Sequence, residues 1–463
     1  MEDNVSSEED EVQEGPEGGG PSVDGESAGT DEEEQQFDIS LAASHSYMGP
    51  RLVAVSGRER AVIEPGWEGR VPVLAHHGTV FPGETVPMLL TYGDDLTIMA
   101  QAMQTDKLFG LLCPDESGTM VSGYGVLCEV YERGGSESDE DAEGEGEMAG
   151  DWRRPWTSRS FKARATHRFR CKQMPKHAVP IHAFDRMRLM EVRVLAEVRL
   201  GDPLRHVRLT SLDPLRGDHS QLARRLRGMD ATLTPWPLFV YDIFDFRRMR
   251  HVIKEYFKTM AMDSTENIPE DAVALSFWTA SNLALSPRDR LALFVVDDAL
   301  LRLHMEVRLI AMKSVLCCAS CAIEIARREH IFAMSTEGVH SNYTNLGGFV
   351  HDIITVSRVA NTAPSGAPSA EFSWFPGYTW TITLCAACMA HVGWRFDAQR
   401  RNLRPQQFYG LCRNYVQPRG EDGPPSPSSP STTPPRSLSA ELRATRHALS
   451  ALVYAPSNTP RDA

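Results

Sequence analysis

Cys385-Ala386-Ala387-Cys388-Met389-Ala390-His391-Val392-Gly393-Trp394-Arg395-Phe396 decides how the C-terminal part of this 463-residue chain is read, because its C-x-x-C has a counterpart in Leu316-Cys317-Cys318-Ala319-Ser320-Cys321. Zinc takes four soft, deprotonated ligands at tetrahedral positions, and a two-residue gap aims both sulfurs of such a knuckle at one point. Cys318, Cys321, Cys385 and Cys388 are therefore expected to hold one structural Zn2+. Cys317 is left out because only the pair 318 and 321 has the two-residue gap. The 64 positions from Cys321 to Cys385 exceed a short zinc finger, so the metal joins the start and end of a domain. Four cysteines leave no open coordination position for water, which argues against metal-assisted hydrolysis.

Between and beyond the knuckles lie Trp374, Trp380 and Trp394, three of the chain's eight tryptophans. Tyr378-Thr379-Trp380-Thr381-Ile382-Thr383-Leu384 alternates strictly, which predicts a strand with the aromatic and aliphatic residues on one face and three threonines on the other. Two readings stay open on spacing alone: a hairpin core, or a cage whose aromatic faces converge on a small, flat or cationic ligand.

Upstream, the period changes to that of helices. Phe239, Ile243 and Phe246, then Val252, Tyr256 and Met260, recur at helical spacing, and 269–285 predicts another helix. Ser286-Pro287-Arg288-Asp289 reads as an N-cap, a proline at the first helical position and an acidic third residue, opening one long helix to about Met312. Its stripe of Leu303, Val307 and Ile310 is expected in a bundle core. Earlier still, Val71-Pro72-Val73-Leu74, 80–90, 108–112 and 124–130 are short apolar strands punctuated by Pro and Gly, and 187–200 alternates as an amphipathic or edge strand. The expectation is an α+β multidomain chain, with folded sequence starting near Trp67: a β-rich domain at 66–215, a helical bundle at 216–311 and a zinc-binding β domain at 312–420.

Charge marks what does not fold. Residues 1–40 hold fifteen Asp and Glu and no Lys or Arg, so 1–65 is expected to be a disordered acidic tail. Seven more carboxylates crowd 137–147 in a surface insert at 137–150, and a Pro/Ser-rich tail follows at 421–463. Removing those fifteen and seven carboxylates from a formal net charge of −14 leaves +8, spread without the basic stripe of a nucleic-acid reader. No apolar run reaches the length of a membrane span and the acidic N-terminus lacks a signal peptide, so a soluble, intracellular protein is expected. Nine cysteines, an odd number clustered as C-x-x-C, suit a reducing compartment, with Cys113, Cys128 and Cys171 as core residues.

Glu371-Phe372-Ser373-Trp374-Phe375-Pro376-Gly377-Tyr378-Thr379-Trp380, together with 385–396, resembles the cereblon family of substrate receptors for cullin-RING ubiquitin ligases, over about 71–409. The resemblance implies a LON-like N-terminal domain, a bundle that docks on the damaged DNA-binding protein 1 adaptor of a cullin 4-type ligase, and a C-terminal β-tent (CULT) domain that binds thalidomide. It further implies that Trp374, Trp380 and Trp394 wall a cage with Phe396 as its base and Asn345 on the loop across the opening. Backbone groups at Phe372 and Trp374 would meet the imide of a glutarimide or of an imide-like degron on a substrate protein. Cytoplasmic and nuclear localisation and a role in proteasomal degradation follow from the same likeness. Phe372 stands where vertebrate members carry His, and Gly347-Gly348 replaces a His-Gly pair, a change that would loosen the loop. These departures and the extra acidic insert point to a diverged, invertebrate member.

Two other classes compete. Residues 385–394 resemble the C-x-x-C-x-A-H-x-G-H signature of zinc-containing methionine-R-sulfoxide reductases, with Cys412 as nucleophile, but Trp394 replaces the second His and only Arg413 adjoins Cys412 to lower its pKa. A stand-alone LON-type binding module is the other alternative. No G-x-x-x-x-G-K-[ST] supports an ATP-dependent protease, and His351 and His391 are expected to be structural.

Overall fold

The computed structural model describes residues 34–49, 52–55, 63–105, 107–134, 159–174, 177–199, 209–216, 220–233, 238–260, 268–312 and 314–420. The acidic insert and the Pro/Ser tail lie outside them, as do residues 1–33.

Residues 34–55 correct the expectation that 1–65 is wholly tail. Strand β1 (Gln35–Gln36) and helix α1 (Ser40–Ser44) precede β2 (Leu52–Ala54). Phe37 is buried edge-on against Tyr378, with ring centroids 5.5 Å apart. The apolar content of Phe37, Ile39 and Tyr47 is small, but each meets an aromatic cluster built more than 280 residues away.

The N-terminal sheet holds β3 (Glu68–Ala75), β4 (Thr85–Leu89), β5 (Leu108–Pro114), β6 (Val121–Gly134), β7 (Ser160–Cys171) and β8 (Arg188–Val194), with α2 (Gly93–Gln104) between β4 and β5. Strand order is β2-β6-β5-β3-β8-β7-β4, and β6 also pairs with β7, which closes β6-β5-β3-β8-β7 into a barrel. Its interior narrows around the buried Phe169 ring, over which only glycine fits at 110 and 125: a Cβ there would come within 2.9 and 2.5 Å of ring carbons. β8 is central, between β3 and β7, rather than an edge. Its alternation holds, with Val192 and Val194 buried and Glu191 and Arg193 exposed.

The helices are α3 (Asp213–Arg216), α4 (Gln221–Thr232), α5 (Leu238–Phe244), α6 (Phe246–Lys258), α7 (Ala272–Asn282), α8 (Pro287–Phe294) and α9 (Ala299–Ala311). The Ser286 cap forms as the spacing implies, its Oγ accepting the Asp289 N–H at 3.2 Å. The single long helix does not: Asp298 caps a second one by accepting the Leu301 N–H at 2.7 Å.

The C-terminal unit contains β9 (Ser314–Cys318), β10 (Glu324–Arg327), β11 (His340–Thr344), β12 (Val350–Val356), β13 (Thr362–Ser369), β14 (Tyr378–Cys385), β15 (His391–Ala398), β16 (Leu403–Arg404), β17 (Gln407–Cys412) and β18 (Val416–Gly420). Six strands form one sheet in the order β11-β12-β17-β15-β14-β13, and β10-β9-β18 forms a second. The short β1 adds to β16 in parallel.

A buried charge cluster joins the three units. Arg290 of α8 approaches Asp352 of β12 at 2.5 Å and donates to the Thr79 carbonyl beside β4. Arg413 faces Asp352 at 3.3 Å and donates to the Ser281 carbonyl of α7, while His340 also contacts Asp352. Burial alone would raise the Asp352 carboxyl, but the Arg290 and Arg413 guanidinium groups hold it well below the usual carboxylate range. A second bridge links barrel to helices, Glu197 accepting from Arg168 at 2.5 Å and Arg302 at 2.9 Å.

Candidate metal centre and aromatic cage

The two knuckles repeat one backbone device. After Cys318 the chain turns so that Ala322, with φ +62°, returns its N–H to the Cys318 carbonyl at 2.8 Å. After Cys385, Met389 at φ +61° does the same at 2.9 Å. The four sulfurs of Cys318, Cys321, Cys385 and Cys388 lie within 4.8 Å of one another, with Cys318 to Cys388 at 3.7 Å and Cys321 to Cys385 at 3.6 Å. Zn–S bonds of about 2.3 Å at tetrahedral angles require sulfur separations of about 3.8 Å, so the donor set fits one zinc ion. Burial works against the Cys385 thiolate, but the Cys388 and Ala387 N–H groups bring it down to about 7, primed for metal. Cys317 is buried on β9 and outside the cluster. The metal organises structure here; with four thiolates it supplies folding free energy and no reactive site.

The β14–β15 register sets Trp380 opposite Phe396 and Ile382 opposite Trp394, so all four share one face of the sheet. Burial reverses the simple amphipathic picture, because Thr381 and Thr383 on the other face are buried while Ile382 is exposed. Trp374 meets Trp394 edge-on at 4.7 Å and stacks on Tyr343 at 5.2 Å. Among the described residues Trp380 has no ring contact with either tryptophan. Both indole donors are engaged: Trp374 Nε1 with the Thr344 carbonyl at 2.9 Å, Trp380 Nε1 with the Glu371 carbonyl at 2.8 Å. Phe396 stacks on Phe408 at 5.0 Å and is 1% exposed.

Asn345 opens the turn between β11 and β12. Its Oδ1 accepts the Phe349 N–H at 3.0 Å, and its Nδ2 donates to His351 Nε2 at 3.3 Å. That bond leaves the ring proton on Nδ1, which faces Cys412 Sγ at 3.8 Å. Burial pushes the His351 imidazolium down to about 3, so the ring stays neutral and stands edge-on to Trp394 at 4.9 Å. Gly348, at φ +79°, lies so close to Leu89 that a Cβ would sit 2.4 Å from its carbonyl oxygen, so glycine presses this hairpin tip onto β4.

Phe372 takes a left-handed conformation, φ +54°, and meets the Tyr47 ring edge-on at 5.0 Å. Tyr47 Oη accepts the Thr344 N–H at 3.1 Å, so the N-terminal segment braces the end of β11, beside Trp374, from outside the zinc domain. Tyr47, Tyr343 and His351 were not foreseen as part of this constellation. The aromatic density of 343–351 is a usable signal for the last two; for Tyr47 there is none, its partner being 297 positions away. Cys412, the nucleophile of the reductase alternative, is buried at 3% exposure, and burial raises its pKa well above the ordinary range. A thiol held protonated is a poor nucleophile.

The profile of the Yippee zinc-binding/DNA-binding /Mis18, centromere assembly family matches residues 314–418, the whole of the unit that carries the four cysteines. The chain is 31% identical over 398 residues to Protein cereblon of Drosophila grimshawi, which covers 83% of this chain but only 55% of that protein. It is 29% identical to Protein cereblon of Xenopus tropicalis, covering 83% of this chain and 85% of the relative, and 29% identical to that of Danio rerio, covering 84% and 90%. Fly and vertebrate relatives are thus almost equally distant. A solved Lon N-terminal domain protein from Xanthomonas campestris aligns with 52% of this chain and 98% of its own at 16% identity, but its TM-score of 0.28 is too low to add weight. More than four-fifths of the chain thus aligns, at about 30% identity, with proteins of one name, and the chain is similar to cereblon over that length.

Proposed function

We propose that this chain is a substrate receptor of a cullin-RING ubiquitin ligase, binding an imide-like degron, or a glutarimide, in the cage of Trp374, Trp380 and Trp394. The observation that carries the reading is the open Trp380 face: an apolar strand surface left partly exposed, with the Trp374 and Trp380 indole donors already satisfied by backbone carbonyls, presents π faces and apolar edges. A flat ring fits between such walls, and the backbone of 372–374 supplies the few polar contacts that orient it. Phe396 forms the base, Asn345 reaches across the mouth, and the zinc holds the start of the Trp394 strand relative to the end of the Trp380 strand.

The receptor role requires a second surface. Leu209, Leu215, Leu222, Met229 and Leu233, between 43% and 67% exposed, bring large apolar side chains to the surface of the 209–233 segment. We assign this segment to the damaged DNA-binding protein 1 adaptor, since exposed apolar residues gathered on one segment are costly unless a partner covers them. Bound at both surfaces, the receptor would raise the effective concentration of substrate lysines near the ligase. No residue of this chain needs to act on a reacting bond. Nine free cysteines fit the intracellular compartments, cytoplasm and nucleus, in which such a ligase works.

Thermal-shift titration of the full chain with a glutarimide tests the cage. Stabilisation should grow with the logarithm of ligand concentration, reaching about 2.7 kcal/mol at a hundredfold excess over Kd, and vanish in Trp380→Ala. Equal shifts in both proteins would remove the cage from the reading. Co-purification of adaptor with wild type but not with Leu222→Glu/Met229→Glu separates a ligase receptor from a stand-alone binding module.

A further inference from the structure

A cavity of about 440 Å3 opens where β4, α7 and the 336–342 segment converge, and no cage residue lines it. The volume lies within the roughly 300–1,000 Å3 of small-molecule sites. Its charges are unusual. Glu84 and Glu337 both line it, both are partly exposed, and among the described residues neither forms an ion pair. Glu84 accepts only neutral donors, the Phe81 N–H at 2.9 Å and Asn342 Nδ2 at 3.0 Å. Burial pushes its carboxyl up to about 7 against the pull of Arg290, and pushes that of Glu337 upward against the pull of Arg164 and Lys162, so desolvation outweighs the nearby positive charge at both.

Arg164 sits at the rim, exposed, over the Tyr131 ring, with one guanidinium N–H on the Gly83 carbonyl at 3.0 Å; its charge acts on Glu337 across the cavity, but the two form no contact ion pair among the described residues. Asn342, only 2% exposed, gives its amide hydrogens to Glu84 and to the Thr85 carbonyl and leaves Oδ1 without a partner. The partly exposed Trp278 of α7 supplies an aromatic wall. The polarity is therefore ordered: two acids along β4 and the 336–342 segment, one guanidinium at the rim, an indole beside them. A simple cation is opposed by Arg164 and a simple anion by the two acids. A molecule carrying both charges satisfies all three groups.

We propose that this cavity is a second ligand site, for a small zwitterion of the α-amino-acid class. Its ammonium pairs with Glu84 and Glu337, its carboxylate with Arg164, and its side chain lies along Trp278. The site is independent of the cage and of the ligase reading.

Isothermal titration calorimetry on the full, zinc-loaded chain tests it with three probes. These are L-phenylalanine, L-phenylalaninamide, which lacks the carboxylate, and N-acetyl-L-phenylalanine, which lacks the ammonium. Phenylalanine should bind at least about tenfold more tightly than either analogue. Glu337→Gln and Arg164→Met should each weaken phenylalanine by about tenfold or more, while Trp394→Ala in the cage leaves it unchanged. Arg164 is exposed, so its variant folds, and the three-probe comparison on wild type stands even if Glu337→Gln does not. No heat with phenylalanine up to roughly 10 mM, equal binding of the acetylated analogue, or loss of binding in Trp394→Ala would overturn the proposal.

Discussion

Replacing Asp352 by Asn tests how much of the architecture rests on one buried carboxylate. Asp352 faces Arg290 at 2.5 Å and Arg413 at 3.3 Å; Asp352 and Arg413 belong to the C-terminal unit, while Arg290 comes from the helices and also reaches Thr79 of the N-terminal unit. Removing one partner of a buried ion pair leaves charge without compensation, typically at a cost of about 3–5 kcal/mol. The amide oxygen still accepts one hydrogen bond, returning about 1 kcal/mol, so a net loss of about 2–4 kcal/mol is expected. For domains of this size each kcal/mol lowers Tm by about 2–4 °C, which gives a fall of roughly 5–15 °C by scanning calorimetry near neutral pH. The pH dependence has a definite sign. The folded Asp352 carboxyl titrates below its unfolded counterpart, so its contribution is complete above about pH 4 and is lost as pH falls toward the folded value. Wild type and variant should therefore converge in acid. A Tm change under about 2 °C at neutral pH, or a gap that persists undiminished in acid, would refute the reasoning.

Cys385→Ser should lose zinc and unfold 314–420 while the helices persist, because metal binding contributes folding free energy only where the ligands lie; zinc content and far-ultraviolet circular dichroism read both, and full zinc retention would contradict it. Glu84→Gln should change the pH profile of stability. The folded carboxyl is raised from 4.5 to about 7, so its contribution is present in acid and lost as pH rises through that window, and the variant should gain on wild type by about 1–3 kcal/mol between pH 4.5 and 8 in denaturant titrations. Parallel profiles would mean that Glu84 ionises freely.

What could be read from the chain was local. Two C-x-x-C pairs state their chemistry within four residues each, and the alternation of 378–384 orders its own side chains, so the metal ligands and the shared face of Trp380 were legible. Composition misled at the N-terminus, where fifteen carboxylates outvote Phe37 and Tyr47, although those two rings find partners in a distant cluster. Asp298 falls inside the stretch read as one long helix and is a helix cap. Asp352, Arg290 and Arg413 look like ordinary surface charges, and nothing in their neighbourhoods announces that three units converge on them. Such burial is a property of tertiary pairing, which local pattern does not encode.

The Gly348 contact has a bearing on how ligand affinity is to be compared between fragments. The turn that carries Asn345 is pressed onto the Leu89 carbonyl of β4, and Tyr47 holds the adjoining Thr344 from the N-terminal segment. A fragment limited to 314–420 keeps every cysteine and every tryptophan of the site but has neither anchor. Under the proposed cage reading, its turn would have to be ordered by the ligand itself, at the ligand's expense in affinity, whereas in the intact chain the ordering is done beforehand by contacts outside the proposed site. The ratio of the two dissociation constants thus measures the free energy of docking between units, and a mutation at Leu89 or Tyr47 should alter it without touching the cage.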